Sequence, residues 1–268
     1  MGTSKSFPTP AGGEWTPLKK DITGHLDGDK TATPDRILGG AVRALGTLQM
    51  PAVSAVGGGG RATPEQARSR GGGGGAGGGG GAVGRSASRL GGFASAVQSG
   101  GLAGGLKVLG LDELKGCSAA EIISRIAEHL AEGADPLQRD LLIDALQNAL
   151  LEAAALEAEA AYEDLDAALE AFFTANGVEA LVQSFLTNYV FDRVWMAVEN
   201  HAQMKDGAGA SADALGNAVA QACRSHVESL ISDVKAEGRF DKIDWFGRGG
   251  IALGDELVAE LEGRLKAL

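Results

Sequence analysis

The feature that most constrains this chain is a run of glycine. From Val56 the sequence reads VGGGGRATPEQARSRGGGGGAGGGGGAVGR, ending at Arg85. Ordering a backbone residue costs about 1–2 kcal/mol, and this stretch has almost no apolar side chain whose burial would offset it. Residues 51–85 are therefore expected to form a disordered, Gly-rich linker rather than a packed unit. Arg61, Arg68, Arg70, Arg85 and Arg89 dot this region. Arginines in such a tract can touch phosphates, but no aromatic side chain lies between them for bases to stack on. Nucleic acid is accordingly not the expected partner.

The charge divides near the same place. Residues 1–110 hold 12 Lys and Arg against 6 Asp and Glu, whereas residues 111–268 hold 12 against 29. A weakly basic, glycine-rich front thus precedes a strongly acidic rear. The hydrophobic share is 44% and the aromatic share only 5%, with Ala and Leu dominant, which favours helices over sheets. Two distant cysteines, Cys117 and Cys223, do not make a disulfide framework. No run of 18 apolar residues exists to span a membrane, and the start carries no apolar signal core.

Four stretches follow. Residues 1–15 read as an extended tail, because Pro8 and Pro10 block helix. Residues 16–50 hold two short helices, each opened by a hydroxyl before proline, Thr16-Pro17 and Thr33-Pro34. Residues 51–85 are the linker, and 86–268 an acidic helical bundle. Within the bundle, Ser118 and Glu121 form a capping box ahead of Ile122, Ile126 and Leu130. A long helical run opens at Asp135-Pro136 and reaches about Asn176, with a break expected near Glu159–Glu163. Leu181, Phe185 and Tyr189 mark a buried helix, as do Leu215, Val219, Cys223 and Val227. Leu253, Leu257, Leu261 and Leu265 mark the last. The glycine-interrupted stretch after Ser86 suits close packing against other helices. The fold class expected is all-α, a helical bundle behind a disordered, Gly-rich N-terminal region.

Catalytic patterns are sparse. There is no phosphate-binding G-x-x-x-x-G-K-[ST], no H-E-x-x-H and no G-x-S-x-G. Cys223 and His226 could share a helix face, but the remaining ligands of a zinc site are missing. The carboxylates Glu157, Glu159, Glu163, Asp164, Asp166 and Glu170 lack the Glu-x-x-His pairs of a di-metal bundle and read as a solvated face. No cofactor, metal or enzymatic activity is expected. The loop GRFDKIDWFGRGG, residues 238–250, stands apart. Its aromatics either plug the chain's own bundle or, with Trp245, Phe246 and Arg248, anchor a partner protein.

The start MGTSKSFPTPAGGEWTPLK, the glycine-rich gap, the acidic bundle and DWFGRGG near the end together resemble QatB, a family of subunits of the Qat bacterial antiphage defence systems. The resemblance implies a cytoplasmic, non-enzymatic protein. Its implied partners are a QueC-like enzyme, a P-loop ATPase and a TatD-like nuclease. It also implies that Gly2, exposed once Met1 is trimmed, is presented to the QueC-like partner and modified there, with Thr3 and Ser4 read alongside it. The tail suits this, since 14 residues from Gly2 to Trp15 reach on the order of 45 Å when extended. Two alternatives remain. One is a purely structural adaptor that binds partners through its bundle. The other is N-myristoylation, because MGTSKS fits M-G-x-x-x-[ST], giving a membrane-associated protein in a eukaryotic cytosol.

Overall fold

A computed structural model of the chain describes residues 13–49, 81–157, 159–206, 210–240 and 243–268. Among them are nine α-helices and no strand: α1 Trp15–Leu26, α2 Pro34–Leu45, α3 Ala82–Leu109, α4 Ala119–Leu130, α5 Pro136–Ala154, α6 Tyr162–Asn176, α7 Val178–Asp206, α8 Ala210–Ala236 and α9 Arg248–Lys266. A short 3-10 turn, Asp112–Leu114, follows α3. The all-α expectation is met. The disorder expected of the N-terminal region falls mostly outside the described residues.

Local chemistry opens several of these helices. The Thr33 hydroxyl accepts the Arg36 N–H at 3.3 Å, with Pro34 in the first turn, and the Ser118 hydroxyl accepts the Glu121 N–H at 3.4 Å. The long run from Pro136 breaks at Ala155, which adopts a left-handed conformation at φ 50°. The next helix starts at Tyr162, where the Asp164 carboxylate accepts the Ala161 N–H at 3.1 Å. The break therefore begins four residues earlier than the Glu159–Glu163 site the sequence suggested.

One hydrophobic core joins everything from Leu18 and Ile22 on α1 to Leu265 on α9. At its centre α7 packs between α5 and α8, and also meets α3. Its inward row of Leu181, Phe185 and Tyr189 is fully buried. The Tyr189 hydroxyl donates to the Leu48 carbonyl at 2.9 Å and accepts from Gln138 at 3.3 Å, so the only polar atom of that row is satisfied. Leu48 lies just after α2, so residues 16–49 share the core of residues 81–268 rather than forming a separate unit.

Helix α3 starts at Ala82, inside the tract assigned to linker, for a reason that lies far away in sequence. The Asp255 carboxylate on α9 accepts the Gly81 N–H at 2.7 Å, and Val83 is fully buried. A second α9 carboxylate, Glu262, accepts both the Thr47 hydroxyl and the Leu48 N–H at 2.9 Å. Asp255 and Glu262 are seven residues apart, two helical turns on one face. The Gln49 side chain lies against Gly81, where a Cβ would have no room. Both flanks of segment 50–80 are thus held side by side on α9.

Helix α3 bends at Gly100 and Gly101, the latter at φ +66°. The bend exposes the N–H of Leu102, and the Asp166 carboxylate of α6 accepts it at 2.6 Å. A carboxylate at the start of a helical segment also complements its dipole. Asp166 and Asp164, read in the sequence as part of a solvated acidic face, are helix caps.

Candidate functional site

The aromatic loop is held by its neighbours' missing side chains. On α3, Gly91 lies under the indole of Trp245 and Gly92 under the ring of Phe246: a Cβ at either position would come within 2.7 Å of ring carbon. The Ser88 hydroxyl donates a short hydrogen bond to the Trp245 carbonyl. Phe240 stacks on Trp245 with ring centroids 5.8 Å apart. Asp244 turns the chain into α9, its carboxylate accepting the Gly247 N–H and its carbonyl the Gly250 N–H, each at 3.1 Å.

This geometry divides the three residues singled out from sequence. Trp245 is only 6% exposed and belongs to the core, as the plug reading held. Phe246 is 50% exposed, its ring lying across Gly92 with a free outer face. Arg248, the first residue of α9, is exposed beside it. Trp245 is packed inward, whereas Phe246 and Arg248 are each exposed.

Gly2, Thr3 and Ser4 lie outside the described residues. The described chain begins at Gly13, directly before α1, and α1 is anchored by Leu18 and Ile22, both fully buried. Beside this anchor is an open groove of about 880 Å³ between α1, the α1–α2 turn and the end of α7. Lys19, Lys20, Arg36, His201 and Lys205 line it together with Asp21 and Asp29. Arg36 pairs with Asp21 at 2.9 Å, and Asp29 accepts the Thr31 N–H and hydroxyl at 2.8 Å. Those hydrogen bonds hold the Asp29 carboxyl below its ordinary pKa. His201 lies 3.3 Å from the Thr23 hydroxyl, and burial pushes its imidazole down, toward the neutral form.

The other candidates have structural partners or sit apart. Cys223 is buried and its thiol is pushed up to about 12 by desolvation, so it carries no thiolate at neutral pH. Burial, with Glu121 nearby, also raises the Cys117 thiol. His226 faces Asp35 across α8 and α2 at 3.0 Å. Among the described residues, no three His, Cys, Asp or Glu side chains are grouped to hold a metal ion. None of the helices searched is long and apolar enough to cross a membrane.

These features define an all-α body with one continuous core and a partly exposed aromatic loop. Residues 71–243 match the family described as the Qat anti-phage system associated protein QatB. The match covers more than half of the chain, which belongs to the QatB family and is a component of a Qat anti-phage system, working alongside that system's other proteins. The matched stretch runs from the glycine tract into the aromatic loop, ending at Ile243. Gly2, Thr3, Ser4, Trp245, Phe246 and Arg248 lie outside it. Searches of curated proteins and of solved structures return no match.

Proposed function

We propose that the chain is a non-enzymatic adaptor of its Qat system that presents its N-terminal segment to a QueC-like partner, with the Gly2 amine as acceptor of a covalent group. The observation that carries this reading is the anchoring of α1. Leu18 and Ile22 fix the base of the N-terminal segment to the same core as the family-matched helices. Ordering a segment inside a partner costs about 1–2 kcal/mol per fixed residue, so contacts at Thr3 and Ser4 need help from a docked body. Phe246 and Arg248 supply that surface, and Trp245 positions it. Other Qat proteins, a P-loop ATPase and a TatD-like nuclease, are further partners on this reading, and the cytoplasm is where they meet.

In cells carrying the complete system, Gly2→Pro should abolish protection against phage while the purified variant keeps its helical content. Full protection with Gly2→Pro would leave the adaptor reading alone. That second reading is favoured by the half-exposed Phe246, which needs no N-terminal chemistry to bind a partner. Phe246→Asp should weaken capture of the QueC-like protein in a pull-down about tenfold or more. Unchanged capture would remove the loop from the docking surface.

A further inference from the structure

Helices α1 and α2 pack on α7, α8 and α9. The apolar side of this contact is closed: Leu18, Ile22, Ile37, Leu38, Val42 and Leu48 have no exposed surface. The remaining helices hold one another independently, α3 with α6, α7 and α9, and α5 with α4, α6 and α7.

The polar contacts are reciprocal. A helix C-terminus leaves carbonyls without a partner in the helix itself. Arg43, in the last turn of α2, donates to the Lys266 carbonyl at 2.8 Å. The ammonium of Lys266, in the last turn of α9, donates to the Gly46 carbonyl at 2.6 Å. Each helix thus completes the other's C-terminus and sets a cation against the negative end of its dipole. Lys266 also reaches Glu262 at 2.6 Å, the carboxylate that accepts from Thr47 and Leu48. Elsewhere on this contact His226 faces Asp35 at 3.0 Å, and His201 lies 3.3 Å from the Thr23 hydroxyl. At Gly39 a Cβ would lie 2.8 Å from the Leu265 carbonyl oxygen, so α2 passes α9 backbone to backbone. A closed apolar centre with a paired polar rim is the anatomy of an interface between separate molecules.

We infer that α7, α8 and α9 form a docking site for a helical pair, occupied here by residues 13–49 of the same chain through non-covalent contact alone. The occupant that fits has an apolar face, a glycine where its second helix passes α9, and a cation in the last turn of that helix. The covalent link through 50–80 raises the local concentration of this ligand and is not needed to seat it. None of this depends on chemistry at Gly2.

The test is the full chain with a site-specific protease sequence inserted within 50–80 and cut after folding. The two pieces should co-elute from a sizing column at about 10 µM and keep the helical content of the uncut chain. With a dye on the N-terminal piece, dilution of the cut complex reads its affinity. Gly39→Val should weaken the cut complex about tenfold or more, because the branched side chain meets the α9 backbone. Glu262→Gln keeps the shape, removes the charge, and should weaken it about threefold or more. In the uncut chain both variants should keep their helical content, since the link restores the local concentration. Separation of the pieces, loss of helical content on cutting, resistance of the inserted site to the protease, or unchanged affinity in both variants would each overturn the inference.

Discussion

The core holds two kinds of helix contact that obey opposite rules. Where α7 meets α5 and α8, large side chains fill the space: Leu142, Leu146, Phe185, Leu186 and Leu215 are fully buried. Where α3 meets α9, side chains are missing. Gly84 and Ser88 on α3 face Gly254 and Gly250 on α9, and a Cβ on Gly254 would lie 2.9 Å from the Gly84 Cα. The first contact is stabilised by apolar area and tolerates small adjustments of rotamer. The second is stabilised by backbone approach and has no side chain to move. In α3 glycine is an element of packing, although each glycine costs the helix about 1 kcal/mol in propensity relative to alanine.

Three substitutions would break or sharpen that contrast, and a fourth probes the charge beside it. Phe185→Ala should have the largest effect, about 3–5 kcal/mol, read as a lowered urea midpoint, because it empties a fully enclosed site. Gly254→Ala adds one methyl against fixed backbone and should cost about 1–3 kcal/mol despite alanine's better helix propensity. A neutral or stabilising Gly254→Ala would show that the seam is not limited by backbone contact. Asp166→Ala removes the cap on the bent α3 and should cost about 1 kcal/mol, without affecting the seam itself.

The smallest effect is pH-dependent. Burial, aided by the nearby Asp144 charge, raises the Asp192 carboxyl from 3.8 to about 6. The folded state then holds a proton that the unfolded state has released, so stability falls as the pH rises through that window. Asp192→Asn should leave stability at pH 3.5 nearly unchanged. At pH 7.5 it should raise stability by on the order of 1 kcal/mol, discounted for the solvent-exposed part of the group. A stabilisation equal at both pH values would contradict this.

Much of the bundle was legible because its signals are local. Ser118 with Glu121, Thr33 with Pro34, and the Leu181–Phe185–Tyr189 row announce helix starts and buried faces within a few residues. The small residues after Ser86 announced close helix packing. What escaped depends on distant partners. Nothing near Ala82 says that Asp255 will cap it, and nothing near Ala155 marks a left-handed stop. Asp166 looked like one more surface carboxylate until the bend at Gly101 brought Leu102 to it. At the candidate site, the two roles of the aromatic loop could not be separated by pattern, because a loop has no periodicity to show which ring points inward. Gly91 and Gly92 decide it, by making room for the Trp245 and Phe246 rings to lie against α3.

The flanks of segment 50–80 extend the same lesson, because Gln49 and Gly81 meet on α9. Shortening that segment should leave the fold intact and change stability by only about 1 kcal/mol, as loop closure depends weakly on length. Thermal unfolding of a shortened chain would check this, and loss of cooperative unfolding would contradict it.

The central claim concerns the N-terminus, and intact mass tests it most directly. The full chain would be purified once after expression alone and once after expression with the proposed QueC-like partner, and the N-terminal peptide mapped in each. The account predicts the bare or Met-trimmed mass alone, and with the partner a single added mass on the Gly2 amine that is absent from Gly2→Pro. An unmodified N-terminal peptide in the presence of the active partner would contradict it.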